Sequence, residues 1–306
     1  MEPTKPAIGV FLPTMTVAGA DLPDVAAAAR HAEGLGFESA WAIDQLVAGT
    51  GAPALLDSIV ALAAAAGATQ RIALGLGVLV VPLRPVAWIA KQVASLQHVA
   101  GGRVLFGVGV GGDRHADSWQ AAGVARAERA ARTDAALAVL PDLLAGRTAA
   151  LPDVAGRPTV RLSPGVVLPP LLIGGTADVA LRRVARFADG WFAMPAPPAT
   201  VAGSVLRLAE LAAEAGRDAP GVTGSIVVAL DSSDGVIDRL TDPDGLFGMS
   251  ADAVDSVLVR DADALATRVD GWAQLGAERV VLTLAGDDWF RQAELAAEAL
   301  LAPPRR

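Results

Sequence analysis

Cysteine and tyrosine are absent from this 306-residue chain, lysine occurs only at Lys5 and Lys91, and histidine only at His31, His98 and His115. Without cysteine there is no disulfide framework, thiol nucleophile, Cys-type zinc site or iron–sulfur cluster. Without tyrosine there is no phenolic acid–base chemistry. The three histidines lie far apart in sequence, so no metal centre is expected. Basic residues are outnumbered, with 25 Lys+Arg against 33 Asp+Glu and a net charge of −8. That balance argues against a nucleic-acid partner, which needs a basic surface to neutralise phosphates. It argues equally against an anionic membrane surface. Long apolar runs are missing too. Residues 72–83 form the longest, 12 residues broken by two glycines and a proline, whereas a membrane-spanning helix needs about 20. The opening MEPTKP carries no apolar signal core, and a cytoplasmic protein is the expectation.

The residues that are present suit a large core. At 53% hydrophobic and 19% charged, the chain is not disordered. Its length fits two average domains or one α/β barrel. Short β-rich runs alternate with longer Ala-rich amphipathic ones. Strands are expected at residues 7–12, 38–43, 71–81, 103–109, 170–173, 190–194, 222–230 and 279–284. Helices are expected at 22–35, 53–66, 85–99, 126–144, 177–188, 200–215, 262–275 and 289–300. The strands are nearly continuous apolar runs, as in parallel sheets buried on both faces. Eight such βα units predict a (β/α)8 TIM barrel spanning residues 1–306 as one domain; a doubly wound sheet is the other topology considered. Residues 146–169, rich in Pro and Gly, break the rhythm as an excursion or hairpin after the fourth βα unit. Residues 231–259, with Asp, Ser and Gly turn signals, are ambiguous, with a mobile segment near the barrel mouth as one reading.

Barrel active sites sit at the C-terminal strand ends, which selects the residues to weigh. Gly174, Gly175 and Thr176 join the fifth strand to its helix. Either they bring backbone N–H groups to a phosphate at the helix N-terminus, or Thr176 is simply the helix cap. The cluster Gly107–Gly112 superficially suggests a dinucleotide fingerprint, but it follows the fourth strand and lacks the acidic residue such a site needs. Its glycines read instead as room for a flat ligand. Asp44 ends the second strand, either orienting a ligand or proton or capping its loop. His115 follows the fourth strand on the same rim, while His98 falls near the opposite rim. Neither histidine has a visible partner, and no nucleophile elbow is present. A bound cofactor is the economical source of reactivity.

Several stretches in order resemble the luciferase-like monooxygenase family of flavin- and deazaflavin-dependent oxidoreductases. They are residues 8–14 and 32–45 (AEGLGFESAWAIDQ), 68–112 with its R-x-P turn and G-G-R strand, 121–146, and 169–192 (PPLLIGGTADVALRRVARFADGWF), with a weaker match at 263–284. The resemblance implies a (β/α)8 barrel and a cofactor phosphate at Gly175 and Thr176. It also implies a non-proline cis peptide at Gly77–Val78 beside the cofactor ring, and strand-four backbone at Gly109, Val110 and Gly111 beneath that ring. Asp44 corresponds to the acidic member of an Asp–His pair in many deazaflavin-dependent members. The chain departs from that pattern: Gln45 replaces the histidine, and Gly112 replaces an acid that some dehydrogenases use after the fourth strand. The implied activity is hydride transfer between coenzyme F420 and a small organic substrate, with Asp44 and His115 as the candidate catalytic residues. The alternatives are an FMN-dependent monooxygenase and a non-catalytic cofactor-binding relative; the Gly175–Thr176 turn alone would also suit an unrelated phosphate-substrate barrel. Relatives often pair as homodimers, which leaves a homodimer open. Arg84, Arg157 and Arg161 are available to an anionic cofactor tail.

Overall fold

A computed structural model describes residues 4–15, 22–47, 54–112, 116–230, 235–242 and 248–301. Eight parallel strands close into a barrel. In chain order they are β1 (Ala7–Phe11), β2 (Ser39–Ala42), β3 (Ala73–Val80), β4 (Val104–Gly109), β7 (Leu171–Gly174), β8 (Gly190–Phe192), β9 (Gly221–Val228) and β11 (Ala277–Leu284). Each pairs with the next, β11 pairs with β1, and the ring is complete. Helices α1 (Val25–Leu35), α2 (Ser58–Ala68), α3 (Val86–Val99), α5 (Arg129–Leu144), α6 (Asp178–Phe187), α7 (Pro198–Glu214), α10 (Ala262–Gln274) and α11 (Trp289–Leu300) return the chain between strands. The expected barrel is therefore present, and each expected strand and helix has a counterpart.

Several helices begin where an aspartate side chain accepts the first free N–H groups. Asp24, Asp57, Asp261 and Asp288 cap α1, α2, α10 and α11, and a cap of this kind is worth about 1 kcal/mol. Much of the acidic excess is thus architectural. The main core lies between the strands and the helices; a smaller cluster fills the barrel axis around Trp41, Leu105, Leu172, Phe192 and Val281. Trp41 is fully buried there because its neighbours have no side chains. A Cβ on Gly75 would overlap its indole ring, and one on Gly9 would come within 2.9 Å of its Nε1.

The described parts of the interruptions carry secondary structure of their own. Residues 146–169 contain an antiparallel ladder, β5 (Thr148–Ala150) with β6 (Thr159–Arg161), and Asp153 from this excursion accepts from the Val86 N–H at the start of α3 (2.8 Å). A short helix α4 (Ala116–Ala121) precedes α5. The ambiguous stretch 231–259 is partly helical in its described residues. It contains α8 (Gly235–Thr241), α9 (Ala251–Val257) and β10 (Leu258–Val259). Val236, Leu240, Val254 and Val257 pack on Val227 and Ala229 of the β9 end. Strand β8 pairs only with the lower half of β9, residues 221–223, and β10 takes the upper half at Val227 and Val228. The wall of the barrel is extended at its mouth by this added strand.

No helix among the described residues is long and apolar enough to cross a membrane.

Candidate active site at the barrel mouth

The C-terminal strand ends divide into two unlike halves. The first half, from β3, β4 and β7, is rich in glycine. The Gly77–Val78 bond is cis, at a bulge where the β3–β4 register shifts between Leu76 and Leu79. Val78 projects over three glycines: a Cβ on Gly107, Gly109 or Gly174 would press on it, at 3.1, 2.5 and 3.3 Å respectively. Gly111 (φ 76°) similarly makes room for Trp119 and Val80, whose atoms would lie 2.7 and 2.9 Å from an added Cβ. These glycines accommodate neighbouring protein side chains before any ligand. Val110, partly exposed, and Gly112, with open space around it, form the accessible lip of this half.

Beyond β7, Gly174 is buried, Gly175 takes φ 117° and Thr176 is exposed. The Trp191 indole N–H donates to the Gly175 carbonyl (2.8 Å) and fixes the turn. Thr176 is not the helix cap. That position is Ala177, which supplies no side-chain acceptor; the Ala180 N–H turns back to the Ala177 carbonyl (2.8 Å), which leaves the N–H groups of Asp178 and Val179 without a cap and available to an anion. Asp178, in the first helical turn, is paired with Arg207 (3.0 Å) and Arg182 (2.7 Å). Those hydrogen bonds hold its carboxyl below the usual range.

Asp44 belongs to neither half as a free acid. Its side chain is only 1% exposed and is fully engaged. Both oxygens accept from Arg84 at 2.7 Å, Oδ2 also accepts from the Val80 N–H at 2.8 Å, and Oδ1 accepts from the Ser58 hydroxyl at 3.2 Å. Burial disfavours the Arg84 charge, but its bonds to Asp44 and its pairing with Asp57 outweigh this and raise its pKa. The carboxylate thus ties the β2 end to the β3 end. Gln45, where the resemblance would place a histidine, donates to the Val47 carbonyl (2.8 Å) in its own loop. His115 and Asp113 lie outside the described residues. His98 sits in the last turn of α3, on the rim opposite the mouth. Of the three arginines considered for an anionic tail, Arg84 is committed to Asp44 and Asp57, and Arg161 donates to the Gly146 carbonyl.

The second half, from β1, β8, β9 and β11, surrounds a cavity of about 290 Å³. Its base is aromatic: Phe192 lies 5.1 Å from Trp41 and 6.3 Å from Phe11, centroid to centroid. Trp289 forms part of the wall, with its indole N–H on the Phe11 carbonyl (2.8 Å). Gly77 lies at the margin of the cavity, so the two halves meet at the cis peptide. Three hydroxyl residues, Thr14, Ser225 and Thr283, interrupt the apolar lining. Sequence reasoning finds neither this cavity nor the Arg84 clamp. Adjacency of β2 and β3 in a barrel is the available signal for the clamp, since it brings their following loops together.

Fold and mouth together define a (β/α)8 protein with a cavity at the C-terminal rim of its barrel. The chain belongs to the luciferase-like monooxygenase family, whose model matches residues 7–298. An uncharacterized protein of Mycobacterium tuberculosis is 34% identical over 167 residues, 54% of this chain and 57% of that protein. Limonene 1,2-monooxygenase of Rhodococcus erythropolis is 34% identical over 119 residues, 39% of this chain and 30% of that one. The matches therefore span about half or less of these relatives' length. Among solved structures, an F420-dependent secondary alcohol dehydrogenase in complex with an F420–acetone adduct superposes with a TM-score of 0.81 at 18% identity, covering 97% of this chain and 99% of that one. The FMN complex of the oxygenating constituent of 3,6-diketocamphane monooxygenase from Pseudomonas putida gives 0.71 at 14% identity, covering 96% and 97%. At these identities the likeness is one of fold.

Proposed function

We propose that this chain is an oxidoreductase that binds coenzyme F420 at the barrel mouth and transfers hydride between it and a small organic substrate. The observation that carries the reading is the α6 N-terminus without a side-chain cap, behind Gly175 and Thr176, on the same rim as an apolar cavity. A phosphate needs the first feature and a reacting organic molecule the second. The residues fit such a group. Gly174, Gly175 and Thr176 would hold its phosphate; Val110, Gly111 and Gly112 offer an open lip; and the Gly77–Val78 bond divides that lip from the cavity. When bound, F420 supplies a two-electron hydride site.

The chain's own part is mainly positional. Asp44 and Arg84 fix the ends of β2 and β3, and thereby the peptide at Gly77–Val78. The aromatic base and Trp289 exclude water from the reacting partners, so that positioning contributes most to rate. Asp44 acts here as a positioning residue, and His115 stays a candidate for proton transfer.

Titration of the protein with F420 and, separately, with FMN, read by quenching of cofactor fluorescence, tests the proposal. Saturable F420 binding followed by reduction or oxidation of the bound coenzyme across an alcohol and ketone panel is expected. Preference for FMN would favour the monooxygenase reading. Binding without turnover would favour a non-catalytic relative, and binding of neither would refute the redox assignment. Assembly is the last element: we propose a homodimer, checked by sedimentation.

A further inference from the structure

The second half of the mouth carries chemistry that the cofactor assignment does not use. Thr14 follows β1 and is 2% exposed. Its backbone is fixed on both sides, with its N–H on the Leu12 carbonyl (2.8 Å) and its carbonyl accepting from the Leu56 N–H (2.9 Å). Met15 then forms a bridge to Leu55. The Thr14 hydroxyl makes no hydrogen bond among the described residues, and the residue lines the cavity. The hydroxyl is not a buried orphan, since the buried side-chain atoms without a hydrogen-bond partner among the described residues are His31 Nε2, Gln92 Oε1 and Asp153 Oδ1; it opens onto the cavity, where a ligand can pair with it. Thr283, on the inward face of β11, lines the same cavity, also with no hydroxyl partner among the described residues. Ser225 is different, since its hydroxyl already donates to the Ala193 carbonyl (2.5 Å).

The remaining lining limits what those hydroxyls can meet. Asp287 is the one titratable group in the lining among the described residues, and it is paired with Arg239 at 2.8 Å. Among the same residues, no basic side chain lines the cavity to balance an anion. Its volume of about 290 Å³ is at the small end of ligand pockets. We propose that this cavity is the substrate pocket of the oxidoreductase inferred above. It takes a compact, uncharged, largely hydrocarbon alcohol or ketone, whose single oxygen is held by the Thr14 hydroxyl with Thr283 beside it. Thr14 is then a specificity-determining residue. It donates to a ketone oxygen or accepts from an alcohol hydroxyl, because a threonine hydroxyl can do either. This rests on the functional reading only for the word substrate; the pocket's preference for such molecules does not depend on a bound cofactor.

Isothermal titration of the protein with cyclohexanone, cyclohexanol and cyclohexanecarboxylate, without cofactor, tests it. Cyclohexanone and cyclohexanol should bind and the carboxylate should not. Thr14→Val should weaken ketone binding about three- to tenfold, the range of one neutral hydrogen bond, and Thr14→Ser should restore it. Thermal melting provides the second readout. Thr14→Val replaces a hydroxyl that opens onto the cavity and bonds no other described residue with a methyl of similar shape, so the Tm should hold. Unchanged ketone affinity in Thr14→Val, equal binding of the carboxylate, or no binding of either neutral probe would each overturn the proposal. The functional reading fails on a different result, namely the absence of F420 and FMN binding, so the two failures are separable.

Discussion

Replacing Asp44 with asparagine should reduce stability far more than the same change at a surface carboxylate would, because of where the charge sits. The wild-type side chain accepts four hydrogen bonds, two of them from the Arg84 fork. An asparagine there would keep one oxygen for the Val80 N–H but turn an amide N–H toward a guanidinium, so donor faces donor. Removing one partner of a buried pair costs about 3–5 kcal/mol. Arg84 is 16% exposed and keeps Asp57 at 3.5 Å, which places the expected loss near the lower limit, about 3 kcal/mol. At about 2 °C per kcal/mol for a large domain, the Tm should fall by about 6 °C. Calorimetry on Asp44→Asn, Arg84→Met and the double variant measures this directly. The double variant no longer buries a lone charge, so it should be more stable than the sum of the single losses predicts, by about 2 kcal/mol. A loss below about 0.5 kcal/mol in Asp44→Asn, the size of an ordinary surface substitution, would refute the clamp. It would reopen Asp44 as a free proton carrier.

Thr176→Asp brings a carboxylate to the proposed phosphate position. At about 5 Å and an effective dielectric of about 20, repulsion is about 3 kcal/mol per charge, a loss of roughly 100-fold in F420 affinity; unchanged fluorescence titration would remove Thr176 from the site. Glu38 bridges β2 to Arg279 on β11 through two bonds of 2.7 Å. Burial raises its pKa, but the bonds and charge of Arg279 prevail and hold it below the ordinary 4.5. A lowered folded-state value means its contribution is present above the unfolded pKa and is lost as pH falls through the folded one. Glu38→Gln should therefore lower stability at pH 7 and flatten the decline below about pH 4.5, as followed by urea unfolding across pH; an unchanged acid slope would contradict this.

The barrel is readable because its signal is physical and repeated. A strand covered on both faces must be apolar throughout, and its following helix must be amphipathic, so residues 289–300 are delimited to the residue. The α8–α9 segment escapes the sequence for the opposite reason. Its helices are seven residues each, too short for a periodic stripe, and their burial is supplied by the β9 end. The glycines after β3 and β4 do fall at the mouth, as expected, but their cause is not legible. Space at Gly109 and Gly111 is taken by Val78, Val80 and Trp119, and a sequence does not state which side chain fills a gap. The same holds for Asp44, whose partner is 40 residues away. Thr14 is visible only as a residue past the first strand, because an unpaired hydroxyl is a property of the surroundings.

The order of strands around the barrel gives the two-halved mouth a further consequence. Around the ring β1–β2–β3–β4–β7–β8–β9–β11, β7 is four steps from β1 in either direction. Thr14 after β1 and Thr176 after β7 therefore leave the barrel at opposite points of its rim. The hydroxyl-lined cavity and the phosphate turn should then behave as independent sites, since residues without shared partners contribute additively. In Thr14→Val, F420 affinity should equal wild type; in Thr176→Asp, cyclohexanone affinity should equal wild type. The double variant should show each loss at its single-variant size, within about twofold. Coupling beyond that range would mean that one ligand occupies both halves. The cavity would then hold part of the cofactor, and the hydroxyls of Thr14 and Thr283 would be cofactor ligands with no role in substrate choice.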